Sequence, residues 1–119
     1  MAAVLIVDDS KFMRKVIRDT LEEAGHEIVA EADNGIDGVE MYKTHHPEIV
    51  TMDVTMAGMD GVGAVDQIMA FDPDARIIVV SALNEKTIKI KNQNVPARTF
   101  INKPFTKEEL LSAVDLVSG

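Results

Sequence analysis

Short apolar runs alternate with longer amphipathic stretches along this chain, and that rhythm constrains the fold more than any other feature of the sequence. Ala3–Val7 is a continuous apolar run closed by two aspartates, the pattern of a strand buried on both faces. In Lys11–Ala24, Met13, Ile17 and Leu21 fall at helical spacing with Phe12 and Val16 beside them, and Gly25 is placed to end the helix. Glu27–Ala32 reads as a second strand. Gly35 to Thr44 reads as a second helix, opened by the Asp33-Asn34 capping pair and stopped by Pro47. Glu48–Met52, Arg76–Val80 and Arg98–Asn102 read as three further strands. Gly61–Phe71 is helical, with Val62, Val65, Ile68 and Met69 inward. Thr106–Val117 is the last helix: Thr106 and Glu109 form a capping box, and Leu110, Leu111, Val114 and Val117 the buried stripe. Asn84–Val95 fits the rhythm poorly, with β-branched residues, two asparagines and Pro96 just after, and reads as a short or frayed helix.

Strands separated by helices imply a parallel sheet covered on both faces. The expected fold class is therefore α/β: a doubly wound, five-stranded parallel sheet in a three-layer sandwich. A chain of 119 residues is sized for one domain, residues 1–119, with no linker, repeat or low-complexity tract. Twelve basic against twenty acidic residues leave a net charge of −8, which argues against nucleic acid or an anionic membrane as the partner. The absence of cysteine excludes disulfides, thiolate metal sites and a Cys nucleophile, and fits a cytoplasmic protein. No apolar run approaches the ~20 residues of a membrane span.

The chemistry emerges when the strand ends are aligned. Asp8 and Asp9 follow the first strand, Asp53 the third, Ser81 the fourth, and Lys103 the fifth. Taken singly, the two aspartates fit a polar strand terminus or helix cap, Ser81 a loop hydroxyl, and Lys103 a solvated charge. In an open α/β sheet, however, ligands bind outside the carboxyl ends of the strands, where all five residues converge. Carboxylates ~4 Å apart repel by ~4 kcal/mol per pair at an effective dielectric of ~20, so one is protonated or a cation sits among them. All-oxygen donors with few protein ligands point to Mg²⁺. A metal, a lysine and a hydroxyl together suit a phosphoryl group, and a carboxylate among them can attack it to give an aspartyl phosphate.

The strings L-I-V-D-D-S-K-F-M-R at 5–14, M-D-V-T-M-A-G-M-D-G at 52–61, V-S-A at 80–82 and K-P-F at 103–105 resemble the response-regulator receiver domain. The similarity is greatest to stand-alone chemotaxis regulators of the CheY type, and it runs the whole length in order. The resemblance implies the flavodoxin-like strand order 2-1-3-4-5. It implies Asp53 as phosphoacceptor, and Mg²⁺ held by Asp9, Asp53 and the Thr55 main-chain carbonyl, with Asp8 acting through water. Lys103 would pair with the phosphoryl group, and Ser81 and Phe100 would be the switch residues. Pro104 would follow a cis peptide. Thr55 and Leu83 fall where the family tunes dephosphorylation. Two departures stand out: Met56-Ala57 where Met-Pro is usual, and Pro96-Ala97 where Gly-Ala is usual.

The implied function is a phospho-accepting switch of a two-component system. A sensor histidine kinase donates to Asp53, and affinity for an output protein, such as a flagellar motor component, changes. A monomer is expected, with no turnover of small substrates and no output domain after Gly119. Two alternatives stand beside it: an aspartyl-nucleophile, metal-dependent phosphatase, and a receiver excised from a longer regulator. The phosphatase signature D-x-D belongs on the first strand, whereas here the central aspartate is on the third. A flavodoxin-like flavin site is disfavoured because Asp8-Asp9-Ser10 would repel phosphate without a metal. Lys86, Lys89 and Lys91 read as a solvated face, and His45 and His46 as an exposed helix end.

Overall fold

The computed structural model describes residues 2–54, 61–82 and 99–118. Among them run β1 (Ala3–Val7), α1 (Lys11–Glu23), β2 (Glu27–Ala32), α2 (Gly35–His45), β3 (Ile49–Asp53), α3 (Gly61–Phe71), β4 (Ile77–Ser81) and β5 (Thr99–Asn102), with α4 (Lys107–Ser118) last. The strands form one parallel sheet in the order β2-β1-β3-β4-β5. This is the flavodoxin-like arrangement. The segment Asn84–Val95, its three lysines, Leu83, Met56-Ala57 and Pro96-Ala97 lie outside the described residues.

Side chains of a strand alternate between the two faces of its sheet, so each central strand feeds two cores. Leu5, Val7, Val50, Met52, Ile77 and Val79 pack on one face against Val39 and Tyr42 of α2 and Val65 and Ile68 of α3. Val4, Ile6, Ile49, Ile78 and Val80 pack on the other against Ile17 and Leu21 of α1 and Leu110, Val114 and Val117 of α4. Both faces are covered, which is why these strands read as unbroken apolar runs. The sheet also sets how closely α2 approaches. A Cβ at Gly38 would lie 3.0 Å from Val7 Cγ2, a tight contact, so glycine there lets the helix seat without displacing the Val7 side chain.

The helix ends follow the sequence signals. Gly25, at φ +92°, closes α1 in a Schellman motif: its N–H donates to Glu22 O at 3.0 Å and that of His26 to Leu21 O at 3.0 Å. Asn34 caps α2 by accepting from Asp37 N at 2.8 Å. Thr106 and Glu109 satisfy one another's backbone N–H at 3.1 and 3.2 Å, the reciprocal bonds of a capping box. Two expectations need correction. β3 and β4 start and end one residue later than expected, because pairing continues through Asp53↔Val80 and Ser81↔Asn102. Hydrophobic patterning stops at a polar residue, but backbone pairing does not. Phe12, expected near the apolar face of α1, is 73% exposed, since it sits about 100° around the helix from Met13 on the stripe.

Candidate functional site

Strand order reverses between β1 and β3, and the crevice at their carboxyl ends is where an α/β sheet places its ligand. Asp8, just past β1, and Asp53, the last residue of β3, sit there with their side chains buried. Lys103 follows β5 and spans back to both. Its Nζ donates to Asp8 Oδ2 at 2.7 Å and lies 3.3 Å from Asp53 Oδ2. Its backbone N–H donates to Ser81 O at 2.8 Å, which fixes the base of the lysine against the end of β4. The Lys103–Pro104 peptide is cis, as the family resemblance implies.

The β1–α1 turn is built around Asp8. Its Oδ1 accepts from Ser10 N at 2.9 Å, while Ser10 Oγ caps α1 by accepting from Met13 N at 3.1 Å. Asp9 is exposed, and no hydrogen bond holds its carboxylate among the described residues. Oxygens of Asp8, Asp9 and Asp53 all lie within 4.8 Å of one another. Ser81 is buried at the end of β4. Phe100, in β5, is half-buried and packs against the core that α2 and α3 cover. The structure thus brings together Asp8, Asp9, Asp53 and Lys103, with Ser81 on the adjoining strand end. Thr55 lies outside the described residues.

Electrostatics follow from burial and contact. Burial pushes the Asp8 carboxyl above its ordinary range, against the lowering effect of the Lys103 and Ser10 hydrogen bonds, and the Asp53 charge adds to the rise. Burial alone would lower the Lys103 ammonium, but the Asp8 hydrogen bond and the Asp53 charge outweigh it and hold it raised. The lysine therefore stays cationic. Three carboxylates face one ammonium, and two unit charges 4.8 Å apart repel by about 3 kcal/mol at an effective dielectric of ~20. A hard divalent cation fits this donor set: two buried carboxylates beside a third that no hydrogen bond engages among the described residues.

Sequence reasoning missed Arg14. Its Nη1 donates to the Asp8 carbonyl at 2.7 Å and its Nε lies 3.4 Å from Glu31 Oε1. No local pattern announces a bond to a main-chain oxygen six residues back. The only available signal was Arg14's place in the first turn after the acidic pair.

Comparison with known proteins agrees with this fold. Residues 4–115 match the family described as "Response regulator receiver domain". The chain is 46% identical over 112 residues to "Chemotaxis protein CheY" of Bacillus subtilis, covering 94% of this chain and 93% of that protein. It is 45% identical over 115 residues to "Chemotaxis protein CheY" of Thermotoga maritima, covering 97% and 96%. A chain in the crystal structure of the CheX–CheY–BeF3–Mg complex from Borrelia burgdorferi superposes with a TM-score of 0.90 at 39% identity, covering 98% of this chain and 89% of that one.

Proposed function

Because this chain belongs to the response regulator receiver domain family, we propose that it is a phospho-accepting switch in chemotaxis signalling, with Asp53 as the acceptor. Proteins of this CheY-like kind are signalling switches of two-component systems rather than enzymes acting on small substrates. The observation that carries the reading is the Lys103 ammonium held between Asp8 and Asp53, at 2.7 and 3.3 Å, at the mouth of the sheet.

The donor is a phosphohistidine on a sensor kinase. An Asp53 carboxylate oxygen attacks phosphorus, the P–N bond to the donor imidazole breaks, and the departing nitrogen keeps the electron pair and takes up a proton. Lys103 is placed to neutralise the phosphoryl oxygens as charge builds on them. Asp9, Asp53 and the Thr55 carbonyl would hold Mg²⁺, with Asp8 acting through water. Bound there, the ion would offset the carboxylate charge and that of the incoming group. Ser81, one residue beyond Val80, the β4 partner of Asp53, then engages the phosphoryl oxygens, and Phe100 turns inward from its half-buried position. The surface beyond β5 thereby changes its affinity for an output protein such as a motor component. A switch of this kind works only through unequal affinity for its two states.

No described helix is long and apolar enough to cross a membrane, and we assign the protein to the cytoplasm, as one receiver domain acting as a monomer. Incubation with Mg²⁺ and a small acyl-phosphate donor tests the reading by intact-mass spectrometry. One phosphoryl group should add to the native chain and none to Asp53→Asn. Equal labelling of the Asn variant would reject Asp53.

A further inference from the structure

We infer that Arg14 is a positioning residue that aims Asp9 into the metal site, an inference that rests on the metal reading of that site. The turn after β1 carries both acidic residues, and its backbone is held from two sides. The Asp8 N–H donates to Ala32 O at 3.0 Å, extending the β1–β2 pairing by one bond. The Asp8 carbonyl instead accepts from Arg14 Nη1 at 2.7 Å.

The guanidinium is anchored in turn. Arg14 Nε lies 3.4 Å from Glu31 Oε1, and Glu31 Oε2 accepts from Arg18 Nη1 at 2.8 Å. A planar fork can engage two oxygens at once, so Glu31 on β2 and the Asp8 carbonyl together fix the plane of the Arg14 head group. The Arg14 side chain is only 18% exposed, which limits its freedom to leave.

The peptide unit is rigid, so pinning the Asp8 oxygen also sets where the Asp9 nitrogen lies and how Asp9 departs from the turn. No hydrogen bond holds the Asp9 carboxylate among the described residues, so within them the course of the backbone aims it. Arg14 thus acts on the most exposed carboxylate of the site without touching it.

This role has a signature that charge alone lacks. Removing a cation beside a cation site should tighten metal binding by Coulomb's law, and should do so for any divalent ion. Removing a positioning group should weaken binding. It should weaken Mg²⁺ more than Ca²⁺, because Mg²⁺ demands near-ideal octahedral geometry and Ca²⁺ tolerates irregular sites.

Titration calorimetry of the full chain with Mg²⁺ and with Ca²⁺ measures both effects, on the native protein, Arg14→Gln, Arg14→Lys and Asp9→Ala. Arg14→Gln should raise the Mg²⁺ Kd by about tenfold or more and shift the preference toward Ca²⁺. Arg14→Lys keeps the charge but not the two-armed plane, so it should also lose Mg²⁺ affinity, and melting curves will establish that it is folded. An unchanged or lower Mg²⁺ Kd in Arg14→Gln, or equal shifts for the two ions, overturns the inference. If the native chain fails to bind Mg²⁺, or Asp9→Ala binds it as well as the native chain, the metal reading itself falls.

Discussion

Replacing Lys103 with methionine should destabilise the metal-free protein by about 3 kcal/mol at neutral pH, and the loss should shrink as pH falls. The methionine keeps most of the apolar stem, so the change isolates the charge. At an effective dielectric of ~20, an ammonium 2.7 Å from one carboxylate oxygen and 3.3 Å from another is attracted by about 6 and about 5 kcal/mol. Desolvation of three charged groups offsets most of this, so the pair contributes little beyond what an apolar replacement of the whole cluster would. Removing one partner is different, because it leaves buried carboxylates uncompensated, at a cost of about 3–5 kcal/mol. The lower figure applies because the Lys103 side chain is 18% exposed and water can partly take its place.

The pH sign follows from Asp8. Burial already holds its folded pKa above the ordinary range, so ionising Asp8 costs folded-state stability at neutral pH, and protonation relieves that cost. Without Lys103, burial acts with less opposition and the relief on acidification grows. Urea unfolding in the presence of a chelator, at pH 7 and at intervals below it, measures both quantities. A loss under about 1 kcal/mol at pH 7, or one that widens as pH falls toward the ordinary carboxylate range, would refute the reasoning.

Mg²⁺ at about 100 times its Kd should stabilise the native chain by ~2.7 kcal/mol, and Asp9→Ala should remove most of that gain in a melting experiment. Burial first, and the Asp72 carboxylate 2.7 Å from its hydroxyl second, push the Tyr42 phenol well above its ordinary pKa. Its contribution to stability is complete below that ordinary value and is lost as pH rises through the raised one. Phenolate absorbance from this sole tyrosine should therefore appear late and together with unfolding, and Tyr42→Phe should cost about 1 kcal/mol in urea. Thr51 is buried on β3, and its hydroxyl has no hydrogen-bond partner among the described residues. Thr51→Val should accordingly raise the urea midpoint, with a gain of about 1 kcal/mol.

How much was legible in the sequence depended on whether the signal was local. Val4, Leu5 and Ile6 announce a doubly buried strand because both faces of β1 are covered, so the run alone is diagnostic. Gly25, Asn34 and the Thr106/Glu109 pair act within a few residues, and all ended or opened helices where expected. Asp8, Asp53 and Lys103 were legible as a group because strand ends in such a sheet share one edge. Arg14 was not, since its partners are a carbonyl, which has no letter in the sequence, and Glu31 on a different element. The ends of β3 and β4 were misjudged for a related reason: Asp53 and Ser81 are polar, yet their backbones stay in the sheet. Strand order itself came from the family resemblance, because alternation fixes the layers but not the sequence of neighbours.

Chemical trapping of the phosphoryl group tests the assignment of Asp53 most directly. An aspartyl phosphate is an acyl phosphate, and borohydride reduces it to homoserine while leaving free carboxylates alone. After phosphorylation in Mg²⁺, reduction and proteolysis, tandem mass spectrometry should find homoserine at position 53 and nowhere else. Homoserine at position 8 or 9, or a phosphoryl group that survives reduction on a serine, threonine or histidine, would contradict the assignment.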